Sequence, residues 1–101
     1  MDDRTIYFSQ KLKENLSKNI KELVLFGSRA RGDYWDGSDY DFLIVVNEKS
    51  KETIKSIRQI EVDFLDKFDI LSASLIFDEE EWEKTKKLPI GINILREGEW
   101  I

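Results

Sequence analysis

The sequence predicts an α+β fold in which helices pack against a sheet of buried strands. Two observations support this class. In some segments apolar residues recur every three or four positions, as on one face of a helix, and in others they form short continuous runs, as in buried strands. The two kinds of segment alternate along a chain of 101 residues. That length suits one small domain covering residues 1–101.

Three helices are predicted, of which the first two are amphipathic. The first is marked by apolar residues at four-residue spacing, namely Phe8, Leu12, Leu16 and Ile20. The second covers residues 51–68, where apolar positions again recur at helical steps. The third begins after Asp78, which forms a capping-box pattern with Glu81, and it ends before Pro89.

Three strands are predicted between the helices. Residues 23–26 and 42–46 are continuous aliphatic and aromatic runs, and residues 70–77 form a third, mainly apolar segment. The polar stretch 27–38 is too long for a tight hairpin, and loops of this size are often functional. Residues 89–101 are rich in apolar side chains but show no clean period. They are expected either to cover the core or to contact a partner.

The amino-acid composition limits the kinds of catalytic and binding site that the chain can contain. The chain has no Cys and no His, which excludes disulfides, thiolate or imidazole catalysis and the commonest transition-metal ligands. A formal net charge of -5 argues against broad binding to a nucleic-acid backbone. No apolar run approaches the length that spans a membrane, and the first residues do not form a secretion signal. A cytoplasmic location is therefore expected.

The strongest chemical signal is the pair Asp39 and Asp41. Residues two apart on a strand project from the same face, so both carboxylates point to one place, and Leu43 and Val45 continue that face. Two close carboxylates repel each other without a cation, and Mg²⁺ commonly binds one or two carboxylates together with water and phosphate. The alternative is a solvated pair, in which Asp39 caps the turn and Asp41 pairs with an arginine.

A candidate phosphate site precedes this pair. Gly27 and Ser28 directly follow the first strand, where glycine lets backbone amides approach an anion and the serine hydroxyl can donate to a phosphate oxygen. Arg29 and Arg31 add positive charge, and each is able to bind phosphate or to pair with a nearby aspartate. An ordinary strand-ending turn is the alternative.

The segment from Leu23 to Val46, with its Gly-Ser turn and its Asp-Tyr-Asp sequence, resembles the signature of the DNA polymerase beta-like nucleotidyltransferase superfamily, in particular its minimal nucleotidyltransferase branch. The resemblance implies a mixed sheet of three to four strands flanked by helices. It implies that the turn binds ATP or another nucleoside triphosphate, and that the aspartate pair binds Mg²⁺ or Mn²⁺. The implied reaction transfers a nucleotidyl group to an acceptor hydroxyl and releases pyrophosphate.

Members of this superfamily usually carry a third carboxylate on the strand after the intervening helix. Here that strand has Ser72 and Ser74, and we predict that one of these serines lies opposite the aspartate pair. Asp69, at the entrance of the strand, is a candidate third metal ligand only if it comes within hydrogen-bond or one-water reach. Without an acid from Asp69, the chain is expected to bind nucleotide and metal but to transfer the nucleotide slowly or not at all.

The resemblance also implies a partner protein. Chains of this kind are similar to the small component of two-component systems, where they act as antitoxins of a helical HEPN-type protein. In this alternative the chain is a weakly active or inactive binding partner, and the apolar tail, Tyr34 and Trp35 provide the contact surface. The opposite interpretation is that the tail covers the core and Trp35 packs on the loop. A homodimer is also left open.

Overall fold

The computed structural model describes residues 1–101, and it consists of helices on both faces of one sheet. The elements in chain order are α1 (Asp3–Leu16), β1 (Ile20–Phe26), α2 (Ser28–Arg31), β2 (Tyr40–Val46), α3 (Lys51–Phe68), β3 (Ser72–Asp78), α4 (Glu79–Thr85), α5 (Pro89–Glu97) and β4 (Glu99–Trp100). No helix combines the length and the apolar content that a membrane crossing requires.

The strands form a mixed sheet in the order β3-β2-β1-β4. β1 is antiparallel to both β2 and β4, while β2 and β3 are parallel neighbours joined by α3. The central strand β2 is buried on both faces, since Ile44 and Val45 are 0% and 1% exposed. This double burial explains why its sequence is a continuous apolar run. The four-stranded mixed sheet confirms the predicted fold class.

The two faces of the sheet are covered unequally. On the major face, α1 and α3 enclose a cluster of 13 buried residues, in which the rings of Phe8 and Phe42 stack with their centroids 4.1 Å apart. On the minor face, α4 and α5 enclose five buried residues, which are Val24, Leu43, Val45, Trp82 and Ile94. Successive residues of β2 point alternately to these two faces.

Two helices begin where the sequence predicts. The Ser50 side chain accepts a hydrogen bond from the Thr53 amide at the start of α3, and the helix covers the predicted residues 51–68. Asp78 and Glu81 form the predicted capping box at the start of α4. Each cap satisfies backbone amides that the first turn of a helix leaves without partners.

Two sequence-based expectations differ from the structure. Ile20, which its spacing assigns to the first helix, begins β1, because α1 ends at Leu16 and the chain turns before the strand. No element is predicted for residues 89–101, but they form α5 and β4. Within α5 only Gly91 and Ile94 are buried, and its other apolar side chains are 45–51% exposed. The apolar residues of α5 lie on one broad side, but the helix has only nine residues, too few for a stripe to repeat and be recognised in the sequence.

Candidate nucleotide and metal site

The candidate site lies where β1 ends beside the start of β2. In the antiparallel register Phe26 pairs with Asp41, so Gly27 follows at the same end of the sheet. Leu43 and Val45 belong to the cluster on the minor face. Asp41 lies two residues before Leu43 on the same strand, so its side chain belongs to that face as well. Residues 32–39 connect α2 to β2 at this end of the sheet.

Gly27 makes a close approach to Asp41. Its φ is 74°, in the left-handed region, and a Cβ at this position would lie 2.4 Å from Oδ2 of Asp41. Both the conformation and the contact exclude a side chain here. The next residue, Ser28, begins the short helix α2, whose N-terminus has no side-chain cap. The turn therefore presents backbone amides next to a carboxylate.

Asp41 and Asp39 interact electrostatically at this turn. Asp41 is half-buried and Asp39 is exposed. Burial and then the neighbouring Asp39 carboxylate raise the pKa of Asp41, while Arg31 lowers it. The charged form of Asp41 is thus only partly compensated within the chain, a condition that favours a cation. Carboxylate oxygens are the ligands that Mg²⁺ prefers, so the donor set fits this ion.

The register between β2 and β3 decides which side chain neighbours the pair. Asp41 aligns with Ala73, whereas Ser72 and Ser74 align with residues of the major face. The prediction that a serine lies opposite the aspartates is therefore wrong, because residues one position apart on a strand point to opposite faces. Both serine hydroxyls are instead buried without hydrogen-bond partners. An alanine supplies no ligand, so β3 adds no acid to the pair.

Asp69 lies at the end of α3, not on β3. It is exposed, has a φ of 55° and donates its backbone N–H to the carbonyl of Leu65 as the C-cap of the helix. No group of three or more Asp, Glu, His or Cys side chains in the chain is arranged to hold a metal ion. Asp69 thus does not form a preassembled three-carboxylate centre with Asp39 and Asp41.

Arg29 holds the loop together. Its Nε and Nη2 donate hydrogen bonds to the carbonyl of Ser38, at 3.2 and 3.0 Å. Its guanidinium also lies 4.3 Å from the ring centroid of Tyr34 and 4.5 Å from that of Tyr40. Cation–π contacts of this kind stabilise a loop without requiring an acid. The same contacts fix the path of the chain into β2.

Glu97 contacts the candidate site, although its position in the sequence does not indicate this. Arg31 pairs with Asp33 and with Oε1 of Glu97, both at 3.2 Å. The same Oε1 accepts a hydrogen bond from the Gly27 amide at 3.3 Å. Glu97 is 70 positions from Gly27 along the chain and its side chain is 16% exposed. The contact forms because α5 packs beside the turn. A pattern of neighbouring residues in the sequence cannot indicate a contact over that separation.

The tip of the loop carries two exposed aromatic residues. Trp35 is 72% exposed and Tyr34 is 48% exposed. The Trp35 ring lies over Gly37, where a Cβ would be 2.3 Å from the ring. Trp35 therefore packs on the loop, as one interpretation holds, and still leaves most of its ring open to solvent.

The sequence matches a family of known proteins and individual relatives. Residues 7–101 match the model of a family described as nucleotidyltransferase domain. A Methanocaldococcus jannaschii protein, named provisionally as a protein adenylyltransferase, is 33% identical over 91 residues, which are 90% of this chain and 87% of that protein. A second protein of the same organism and description is 39% identical over 72 residues, which are 69% of this chain and 72% of that protein.

Solved structures share the fold at low sequence identity. The crystal structure of a toxin-antitoxin with AMP-PNP superimposes with a TM-score of 0.67 at 14% identity, over 98% of this chain and 72% of that chain. A mutant of the toxin-antitoxin MntA-HpeT superimposes with a TM-score of 0.62 at 16% identity, over 100% of this chain and 72% of that chain. At such identities the likeness concerns the fold alone.

Proposed function

The chain belongs to the nucleotidyltransferase domain family, and from that premise we propose that it binds ATP with Mg²⁺ and transfers the adenylyl group to a hydroxyl of a protein. In this proposal Gly27 and Ser28 bind the phosphates, and Asp39 and Asp41 hold the metal ion. The protein acceptor is suggested by the two Methanocaldococcus jannaschii relatives, whose names specify protein adenylyltransferases.

The contact between Gly27 and Asp41 carries the proposal. A phosphate at the Gly27 turn would lie beside carboxylates, which is unfavourable unless a divalent cation lies between the anions. A metal-bound nucleotide satisfies both requirements, because its phosphates accept hydrogen bonds from the turn and its metal ion takes carboxylate ligands. The site therefore suits the complex of nucleotide and metal better than either component alone.

The proposed reaction is an in-line displacement at the α-phosphorus of ATP. The oxygen of the acceptor hydroxyl forms a bond to this phosphorus while the bond from phosphorus to the bridging oxygen of pyrophosphate breaks. Pyrophosphate leaves with the bonding electrons, and the hydroxyl proton passes to water. When bound, the divalent ion supplies charge neutralisation at the reacting phosphate. The chain itself contributes orientation, since the Gly27 turn and the start of β2 hold their groups at one end of the sheet.

A titration with ATP and Mg²⁺ tests this proposal. The double variant Asp39→Asn/Asp41→Asn should weaken ATP binding about tenfold or more, the equivalent of about 1.4 kcal/mol. Asp63→Asn/Asp66→Asn, on α3, makes the same change in net charge away from the site and should bind ATP like the native chain. Equal binding by all three proteins would place the nucleotide elsewhere.

A second candidate function is a binding partner with little or no turnover. The alignment of Ala73 with Asp41 favours it, because two carboxylates can hold one ion but leave a second metal position incomplete. The structural neighbours are toxin-antitoxin proteins, and α5 exposes Ile92 and Leu95 as apolar contact area. In this role the chain would bind a helical HEPN-type toxin.

A labelling assay separates the two candidates. The protein is mixed with labelled ATP, Mg²⁺ and a helical toxin, and label on the toxin is measured. Labelling that is lost in Asp39→Asn and persists in Asp69→Asn supports transfer by two acids, whereas loss in both variants assigns Asp69 a part in it. Toxin binding without any labelling at saturating ATP supports the binding partner.

A further inference from the structure

We propose that Glu97 occupies the phosphate position of the free protein and that a nucleotide must displace it in order to bind. This inference rests on the proposed function, and it assigns to α5 a part in regulating the same site. Three observations carry it, which are the contacts of Glu97, its unfavourable position on the helix and its effect on Arg31.

The contacts of Glu97 are those that a phosphate oxygen would make. One oxygen, Oε1, accepts hydrogen bonds from the Gly27 amide at 3.3 Å and from Nη1 of Arg31 at 3.2 Å. A backbone amide beside a glycine and a guanidinium are both common phosphate ligands. The side chain is only 16% exposed, so the carboxylate is packed against the turn and does not simply extend into solvent.

The position of Glu97 is unfavourable for the helix that carries it. Glu97 is the last residue of α5, and the C-terminal end of a helix carries the negative end of its dipole. An acid at this end destabilises a helix unless other groups compensate its charge. Here Arg31 and the Gly27 amide compensate it, so the local balance depends on contacts with the site.

The third observation is that Glu97 occupies one of the hydrogen-bond donors of Arg31. In the free chain this arginine is paired with the carboxylates of Asp33 and Glu97, although its position in α2, next to the Gly27 turn, suggests a phosphate ligand. A triphosphate and the Glu97 carboxylate are both anions and cannot share the same donors without strong repulsion. When Glu97 leaves, one of the two pairings of Arg31 is released for a phosphate oxygen.

The variant Glu97→Gln tests the inference. Glutamine keeps the size and the Oε1 acceptor but removes the charge, so ATP with Mg²⁺ should bind about fivefold more tightly, as expected for the loss of one nearby negative charge near a protein surface. Glu99→Gln, two residues further on an exposed position of β4, makes the same change in net charge and should leave the affinity unchanged. Thermal melts of both variants verify that they remain folded.

Hydrogen exchange gives a second measurement on the native chain. The Gly98 amide donates to the carbonyl of Ile94 at 2.7 Å in the last turn of α5. Saturation with ATP and Mg²⁺ should accelerate exchange of this amide, because the helix end loses the contact of Glu97 with the turn.

Three outcomes would overturn the inference. Equal ATP affinity in the native chain, Glu97→Gln and Glu99→Gln would leave the proposed function intact and remove the competition. Weaker binding in Glu97→Gln alone would make Glu97 a ligand of the nucleotide complex, not its competitor. Absence of ATP binding in all three proteins would overturn the proposed function together with the inference.

Discussion

The two faces of the sheet differ in what their side chains do. On the major face, α1 and α3 are 14 and 18 residues long and enclose 13 buried residues. On the minor face, α4 and α5 are 7 and 9 residues long and enclose five. The site lies at the end of the minor face. The difference teaches that this small protein concentrates its stabilising contacts on one face, while the proposed chemistry belongs to the other.

The strand β2 shows the division residue by residue. Phe42 and Ile44 point to the major cluster, while Leu43 and Val45 point to the minor one. Asp41 takes the next position on the minor face, where a further apolar side chain would extend the core. A half-buried carboxylate there lowers stability, a cost that the proposed metal binding would offset.

The largest expected effect tests the packing on the two faces directly. Ile44→Ala should destabilise the protein by about 4 kcal/mol and Leu43→Ala by about 2.5 kcal/mol, although both residues are 0% exposed. The large cluster around Ile44 is held by two long helices and cannot collapse onto a cavity, whereas the thinner cover over Leu43 can. Urea unfolding monitored by circular dichroism measures both values. Equal losses would contradict the proposed difference between the faces.

The next effect concerns the turn at the end of the minor face. Gly27→Ala and Gly32→Ala both place a side chain on a residue with positive φ. The backbone cost is about 1 kcal/mol at Gly32, which is left-handed with ψ 1°, and about 3 kcal/mol at Gly27, whose ψ of -161° is a conformation that glycine alone adopts readily. Only the alanine at Gly27 also meets Asp41, since nothing lies within 4 Å of a Cβ at Gly32. Gly27→Ala should therefore lose about tenfold or more in ATP affinity, and Gly32→Ala should bind normally. Parallel losses would show that loop strain alone weakens binding.

A smaller effect concerns Asp2, which accepts a hydrogen bond from Tyr40 on the face of β2 opposite Asp41. Burial favours a higher pKa for Asp2, but hydrogen bonds from the Tyr40 hydroxyl and the Thr5 amide outweigh it and lower the pKa below its ordinary value. Asp2→Ala removes this helix cap and should destabilise the protein by about 1 kcal/mol near neutral pH. A lowered pKa stabilises the fold above the ordinary value of 3.8 and loses this contribution as the pH falls through the lowered value. The difference between the proteins should therefore shrink in acid, and a constant difference would contradict the assignment.

The smallest expected effect is a gain in stability, not a loss. Because the pKa of Asp41 is raised, its charged form destabilises the fold fully above that pKa, and this penalty disappears as the pH falls below the ordinary value of 3.8. In metal-free buffer Asp41→Asn should stabilise the protein by about 0.5 kcal/mol at neutral pH, after allowance for solvent screening. Thermal unfolding in the presence of a chelator measures the gain. The gain should fade in acid, and a loss of stability at neutral pH would contradict this explanation.

Local signals predicted much of the fold. The bounds of α3 follow from its apolar period, and the capping pair of α4 is present as written in the sequence. By contrast, α5 escaped recognition because only Gly91 and Ile94 face the protein. Such a helix is stabilised by tertiary packing, which its own sequence does not reveal.

The parts of the site that sequence could not predict depend on register and on long-range contacts. Whether Ala73 or Ser72 neighbours Asp41 is decided by a shift of one residue between two parallel strands. Glu97 reaches Gly27 only because α5 returns across the minor face. That Asp39 and Asp41 bind a metal ion together remains a prediction, and the titration with ATP and Mg²⁺ tests it.

The three tryptophans, the residues that fluoresce most strongly, are also distributed unequally between the two faces of the sheet. Trp82 lies in the minor cluster, Trp35 is at the loop tip, and Trp100 pairs with Val24 on the strand beside it, so its ring belongs to the minor side as well. The major cluster contains phenylalanine and tyrosine but no tryptophan. Tryptophan emission therefore reports on the minor face and the loop, and a rearrangement confined to α1 and α3 would change it far less than one at α4 or α5.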